Sequence, residues 1–405
     1  MDNTPLWQDQ AASVFPALTG DLTAEIAVVG AGVAGLTSAY LLTRCGYHVH
    51  VIDKKGAGGG MTARSTAHIA TAVDEGWRNL VKTLGPAKTR LVARAYLAAL
   101  DLIGRTQADE SITCDYAEID GYLVGTRSDV GVLAAEKAAA CQAGLTGVEW
   151  AGAPFPRVID GVALRFPGQA RLDPVKYTQG LAACIARDGG MFHAAEIAHA
   201  HEDDAGVTLT SKGGQRIHAR KAVILATRSG LGFAPAANVE RSVRSYVIAG
   251  EIPKGSAEDA VSWDLDEPYH YVRITPGTER DVLIVGGEDQ DTGAPADAER
   301  RFARLESWTR ARFPLVGEMR ARWIGGLKET RDNLGLLGRS APDSNVYIVD
   351  GDSGVGFTHA TVGAMIIRDM IEGRDNPWAA LFDPLRFGPA LHHLMTSDAA
   401  LSAAG

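Results

Sequence analysis

Three glycines and an acid form the most chemically specific set in this 405-residue chain. Gly30, Gly32 and Gly35 stand at G-x-G-x-x-G spacing after an apolar run, and Asp53 ends the next one. That set suits a dinucleotide. Gly30 permits a tight turn, Gly32 lets backbone approach a pyrophosphate, Gly35 lets a helix pack closely on a strand, and Asp53 can accept from a ribose hydroxyl. A second glycine turn, DSGVGF at Asp352–Phe357, lies near the other end of the chain. Between the two are His68, in Ser65-Thr66-Ala67-His68, and the group Tyr269, His270, Tyr271 and Arg273. Strand alternation puts Tyr269, Tyr271 and Arg273 on one face and His270 on the other. Such a face either roofs a flat ring and clamps a carboxylate bidentately, or is an exposed sheet face with an aromatic pair.

The elements that must hold these residues follow from apolar spacing. Ile26–Val29 reads as a buried strand, the alanine- and leucine-rich segment after it as a helix, and His48–Ile52 as a second strand, so 25–53 forms one β-α-β unit. Residues 1–24 read as an arm leading into it, and Gly56–Met61 as a flexible loop. Helical spacing runs over about 77–108 and 129–143. DYAEIDGYLVGT at 115–126 reads as strand-turn-strand. Asp173 is a fitting N-cap with Pro174 at the first helical position. Strands are expected over 191–226 and 239–287, and a polar helix over about 295–313. The strand NVYIVDG then leads through the second glycine turn into a helix over about 358–372. There is no internal repeat.

Composition narrows the function. A net charge of −9 with no Lys/Arg cluster argues against nucleic acid as a partner. No apolar run reaches the length of a membrane-spanning helix, and the N-terminus lacks the pattern of a signal peptide. The four cysteines, Cys45, Cys114, Cys141 and Cys184, lie far apart without metal-ligand spacing. They read as reduced thiols in a cytoplasmic protein, with no metal site.

Three features favour FAD over NAD. A single fingerprint lies near the N-terminus. Lys54 and Lys55 precede a glycine-rich loop suited to a diphosphate. The second turn presents a helix N-terminus that could stabilise an anionic reduced flavin at N1–C2=O. With IAVVGAGVAGLTSAYLL, RLDPVKY, KAVILAT, DNLGLLGR and NVYIVDGDSGVGFTHATVGAM, the chain resembles the D-amino-acid-oxidase-like FAD oxidoreductases over nearly its whole length. Within them, TARSTAHIATA, DVLIVGGEDQDTG and NPWAALFDPLRF are similar to the oxidoreductase part of FAD/Rieske fusion proteins. Those carry a C-terminal Rieske domain with C-x-H and C-x-x-H ligands. No cysteine follows Cys184 here, so that domain was never there or the sequence is truncated.

The resemblance implies an α/β fold, α+β overall: a Rossmann-like FAD-binding domain (1–85, 155–235 and 330–405) and a second, mostly antiparallel β-sheet substrate domain (86–154 and 236–329). It implies FAD contacts from Gly30, Gly32, Val33, Ala34 and Gly35, and from Asp53, Lys54 and Lys55. Thr62, Ala63, Arg64, Ser65 and His68 would line the ring end, with Ile197, Ala226 and Thr227 at strand ends. Gly351, Gly354, Val355, Gly356, Phe357 and Thr358 would complete the site. The family's reaction is hydride transfer from the carbon beside an amine to flavin N5, followed by imine hydrolysis.

His68, Tyr269, Tyr271 and Arg273 are the catalytic candidates. His68 matches a stretch that in related dehydrogenases carries a histidine bound covalently to the flavin, the alternative being a packing role. Lys328 and Arg331 read as a solvated loop, against a role for the lysine in oxygen activation. Sarcosine oxidases carry a substrate-binding lysine at about the Thr358 position, which points this chain away from sarcosine. The expected partners are a small-molecule amine and either O2 or a redox protein as acceptor, with homo-oligomerisation open. A flavin-binding subunit and a related hydroxylase are the rival readings.

Overall fold

The computed structural model describes residues 3–7, 14–73, 75–155, 161–227, 230–233, 239–294 and 297–388. The chain forms two compact units, each discontinuous in sequence. One comprises Ser13–Ala57, Leu181–Arg241 and Lys328–Gly405, the other Met1–Ala12, Gly58–Gly180 and Ser242–Leu327.

The first unit is built on a mainly parallel sheet. Its strands are β1 (Leu22–Val29), β2 (Val49–Asp53), β7 (Met191–Ala194), β8 (Ile197–Asp203), β9 (Gly206–Ser211), β10 (Arg216–Leu225), β16 (Leu336–Arg339) and β17 (Val346–Asp350). They lie in the order β16-β17-β10-β1-β2-β7, with β9 also pairing β10 and β8 on β9. The β17, β10, β1, β2 and β7 neighbours are parallel, and β16, β8 and β9 join antiparallel. The continuous apolar reading of β1 follows from burial on both faces. Ile26, Ala27 and Val28 are fully enclosed. Ala27, Val29, Ile52, Val223 and Ile348 share one apolar cluster. Helices α1 (Val33–Arg44) and α6 (Gly356–Ile371) belong to this unit and pack on each other, and the short α7 (Ala379–Phe382) lies against β16.

The second unit carries a mostly antiparallel sheet. Its strands are β3 (His68–Ile69), β4 (Ala117–Gly125), β5 (Glu149–Gly152), β6 (Val162–Arg171), β11 (Val239–Pro253), β12 (Ala260–Asp264), β13 (His270–Thr275), β14 (Arg280–Asp291) and β15 (Met319–Thr330). The order is β15-β11-β14-β13-β12-β4-β6-β3, with β5 on β6; β12 and β4 are the parallel neighbours. Helix α5 (Ala298–Arg312) covers β14, burying Phe302 and Leu305. Helix α2 (Trp77–Asp109) packs on α3 (Val130–Ala143). Glu136 of α3 accepts from Trp77 N and Arg78 N, so a buried carboxylate caps α2 from another helix. Helix α4 (Pro174–Arg187) begins as expected, with Asp173 Oδ1 accepting from Val175 N at 2.9 Å and Lys176 N at 3.0 Å.

Two expectations change. The segment 115–126 is not strand-turn-strand but the single strand β4, with a register shift between Ile119 and Gly121. Asp120-Gly121 makes a bulge there because β6 and β12 pair with β4 on its two edges, which leaves no room for a reversal. The compact units also divide the chain differently from the sequence boundaries. Residues 58–85 and 155–180 lie in the antiparallel-sheet unit, because β3 and β6 are strands of its sheet.

Among the described residues no helix is long and apolar enough to cross a membrane. None of the four cysteines forms a disulfide.

Candidate functional site

In the parallel-sheet unit, β1 ends at Gly30, whose N–H donates to Ile52 O at 2.8 Å, and α1 begins after Gly32, which provides no side-chain cap. The backbone is tight enough that only glycine fits. A Cβ on Gly30, where φ is +113°, would lie 2.4 Å from Ala226 O, and one on Gly35 would lie 1.8 Å from Gly30 O. The first turn of α1, with Val33 and Ala34, thus opens onto a cradle of bare backbone whose helix-end N–H groups suit an anion.

At the end of β2, Asp53 Oδ2 accepts from Ala31 N at 2.9 Å, and Oδ1 from Lys55 N at 2.6 Å and Gly56 N at 3.0 Å. A carboxylate has about four lone-pair sites, so one remains for a ribose hydroxyl. Lys54 turns aside, its Nζ 2.8 Å from Glu196 Oε1. The Ile197 side chain belongs to the apolar core, leaving only its backbone to meet a nucleotide. Ala226, just past β10, donates to Val29 O at 2.9 Å, and half-buried Thr227 follows it.

The second glycine turn lies in the same unit. Gly351, Ser353 and Gly354 all take positive φ, and Val355 leads into Gly356, the first residue of α6, again without a side-chain cap. Phe357 and Thr358 are buried at its start. His359 Nδ1 lies 3.1 Å from the Asp352 carbonyl oxygen, and burial lowers its pKa to about 4. Lys328 corrects an expectation. It is not in a solvated loop but at the end of β15, where its ammonium pairs with Asp350 and its backbone N–H donates to Asp352 Oδ1 at 2.7 Å. The glycine turn needs an anchor on its strand side, and this pair supplies it. Arg331 sits with its guanidinium over the Phe387 ring.

In the antiparallel-sheet unit, His68, Tyr271, Tyr269 and Arg273 do come together. The His68 ring meets Tyr271 edge-on at 5.4 Å, and the Tyr269 and Tyr271 rings are 5.9 Å apart. Tyr271 Oη lies 3.1 Å from Ser245 Oγ. His270 points the other way, stacked on Trp308 and facing Asp264, as alternation requires. Burial, then the Arg273 charge, pushes His68 down to about 3. The imidazole is therefore neutral, and its Nε2 is buried with no hydrogen-bond partner among the described residues.

Arg273 is fully enclosed: its Nη1 donates to Thr66 O and Ala67 O, while Nε and Nη2 are buried with no hydrogen-bond partner among the described residues. Burial, then Arg171, lowers it to about 9. Thr62, Ala63 and Arg64 form one 3-10 turn, and Ser65 Oγ accepts from Ala67 N at 3.0 Å. Sequence reasoning missed Trp7 and Trp323. Their indole N–H groups donate to Ser65 O at 2.9 Å and Arg64 O at 3.0 Å. No local spacing rule marks them.

A parallel sheet with two bare glycine turns and an acid-ended second strand, joined in one chain to an aromatic antiparallel sheet, defines a dinucleotide-dependent enzyme fold. The turn geometry fits FAD. The family model for FAD dependent oxidoreductases (DAO) matches residues 25–370, and the chain belongs to that family. It is an FAD-dependent oxidoreductase.

Over 400 residues it is 25% identical to the "Putative Rieske 2Fe-2S iron-sulfur protein YhfW" of Bacillus subtilis, covering 95% of this chain and 76% of that protein. It is 24% identical to the gamma-glutamylputrescine oxidoreductase of Escherichia coli, covering 89% of this chain and 86% of that one. Among solved structures, glycine oxidase from Geobacillus kaustophilus superposes with a TM-score of 0.75 at 18% identity, over 90% of this chain and 99% of that one.

Proposed function

We propose that this oxidoreductase oxidises the C–N bond of an amine or amino-acid-like small molecule. The observation that carries the reading is the cluster of His68, Tyr269 and Tyr271 on the antiparallel sheet. It belongs to a chain whose relatives include enzymes named for gamma-glutamylputrescine and glycine. FAD, once held by the glycine turns, would supply the two-electron chemistry by taking hydride from the carbon beside the amine, leaving an imine for water to hydrolyse.

The chain's own residues hold and orient. The N-terminus of α1 receives the pyrophosphate and Asp53 the ribose. The turn from Gly351 to Gly356 sets the start of α6, whose helix-end N–H groups would suit the negative charge of a reduced flavin. Tyr269 and Tyr271 provide a half-buried aromatic wall against which a small amine packs. His68, neutral and with Nε2 unengaged among the described residues, is in the protonation state that attachment to the flavin 8α-methyl demands.

Purified protein should carry flavin absorbance that an appropriate amine bleaches under anaerobic conditions. A preparation that takes up no FAD under any condition refutes the reading. Acid precipitation tests the His68 linkage: yellow in the pellet supports it, yellow in the supernatant removes it. Oxygen uptake against dye reduction assigns the electron acceptor.

A further inference from the structure

We propose that Asn3 and Trp7 of the N-terminal arm, with Arg273 and Trp323, form a clamp that fixes the segment Arg64–His68 and so positions His68. The inference rests on the FAD-dependent reading above for its consequence, but its geometry lies within the antiparallel-sheet unit alone.

Four successive backbone carbonyls are each held by a side chain from a distant part of the sequence. Trp323 Nε1 donates to Arg64 O at 3.0 Å and Trp7 Nε1 to Ser65 O at 2.9 Å. Arg273 Nη1 donates to Thr66 O and, at 3.4 Å, to Ala67 O. Indole and guanidinium are donors with no acceptor capacity. They suit a row of acceptors such as these carbonyls, and cannot turn round to satisfy a competing N–H.

The need for such donors is local. Between the 3-10 turn at Thr62–Arg64 and β3, these carbonyls have no helix or ladder to bond, and buried carbonyls are seldom left unpaired. Ala67 also sits at φ +51°, a conformation that an L-residue holds only when its surroundings impose it.

The clamp is braced as a unit. The Arg273 guanidinium lies 5.2 Å from the centre of the Trp7 ring. Trp7 and Trp323 share one apolar cluster with Val247 and Ile284. Asn3 Oδ1 accepts from Arg64 Nη1 and from Ile324 N, both at 2.9 Å, tying the arm to the segment and to β15. His68 follows directly, paired in register with Arg171 and edge-on to Tyr271. The stretch before β1 is thus a working part of the fold and not only a leader into it.

Hydrogen–deuterium exchange on the full-length holoenzyme tests the clamp, with Trp7→Phe, Trp323→Phe, Arg273→Met and Arg273→Lys. Each phenylalanine keeps a six-membered aromatic ring in the apolar cluster and deletes the N–H together with the pyrrole half of the indole. In each phenylalanine variant, exchange at residues 65–69 should rise about tenfold while peptides from the parallel-sheet unit stay at wild-type rates. Arg273→Lys, which keeps a donor, should fall between wild type and Arg273→Met. The positioning role is read on bound flavin at a temperature where every variant is folded. The visible circular dichroism should change, and any His68-linked flavin fraction should drop severalfold in step with the exchange rates.

Unchanged exchange at 65–69, or an equal rise everywhere, overturns the clamp. Changed exchange with wild-type flavin dichroism and attachment overturns its positioning role. A wild-type protein without flavin fails the functional reading instead, and the exchange pattern still decides the clamp. Should a phenylalanine variant not fold, Asn3→Ala supplies the same comparison from the exposed end of the arm.

Discussion

Gly35→Ala should separate helix α1 from the strand beneath it and take the phosphate cradle with it. The added Cβ would stand 1.8 Å from Gly30 O and 3.2 Å from Val28 Cγ1. Carbon and carbonyl oxygen come no closer than about 3.3 Å in ordinary contact, so the first turn of α1 must retreat by roughly 1.5 Å. The helix has little freedom to tilt, since ten of its twelve residues are buried. Overpacking of this kind costs about 1–3 kcal/mol, and the near-complete burial puts the cost at about 3 kcal/mol.

The loss for the ligand is separate. Hydrogen bonds to a charged group are worth about 1.5–3 kcal/mol each, so withdrawing two N–H groups from a pyrophosphate weakens FAD binding about a hundredfold or more. Titration of apoprotein with FAD, followed by flavin fluorescence, measures the second effect, and urea unfolding the first. Ser38→Ala is the control on the same helix, because it removes only the bond from Ser38 Oγ to Ala34 O. FAD affinity within threefold of wild type in Gly35→Ala, with stability within about 0.5 kcal/mol, would refute the reasoning.

Two more outcomes follow from the second glycine turn. His359 stays neutral in the folded state down to about pH 4, whereas its ordinary value is 6.5. Between those values the unfolded chain binds the extra proton, so stability is fullest above pH 7 and declines on acidification through that window, by up to about 1.4 kcal/mol per pH unit. Urea unfolding of His359→Asn between pH 7.5 and 5 should show a slope shallower by one proton, and an unchanged slope refutes the assignment. Lys328→Met leaves the Asp350 carboxylate, 10% exposed, without its cation. Fully buried pairs cost about 3–5 kcal/mol to break, and the residual exposure reduces this to about 2 kcal/mol. A double-mutant cycle with Asp350→Asn measures the coupling, and a value under about 0.5 kcal/mol shows the pair to be idle.

The β-α-β core of the parallel-sheet unit was legible in sequence because its signals are local and redundant. The apolar run of β1, the glycines and Asp53 fall in one stretch, and each constrains the next. Strand alternation likewise placed Tyr271 and Arg273 opposite His270. What alternation could not reveal is that Arg273 Nη1 is engaged by the carbonyls of Thr66 and Ala67, which lie 207 and 206 residues away in sequence. Trp7 and Trp323 were invisible for the same reason: their acceptors are 58 and 259 residues distant. The Asp120-Gly121 pair misled because turn chemistry and bulge chemistry use the same residues, and only the neighbouring strands decide between them. Lys328 misled because a charged residue beside glycines reads as solvated until its partner, Asp350, is placed.

The strand order of the parallel sheet has a consequence for how the protein is made. β1 pairs with β10, and β10 with β17, so the central ladder links segments about 190 and 120 residues apart in sequence. During synthesis β1 has no long-term neighbour on that side until residue 225 has emerged, and the Val223–Leu225 end of β10 keeps an open edge until β17 has. An unpaired apolar edge is the commonest route to aggregation, and ladders of such wide sequence separation close slowly. The parallel-sheet unit therefore cannot mature domain-first from the N-terminus. It depends on β17, the last strand among the described residues, to complete its central ladder.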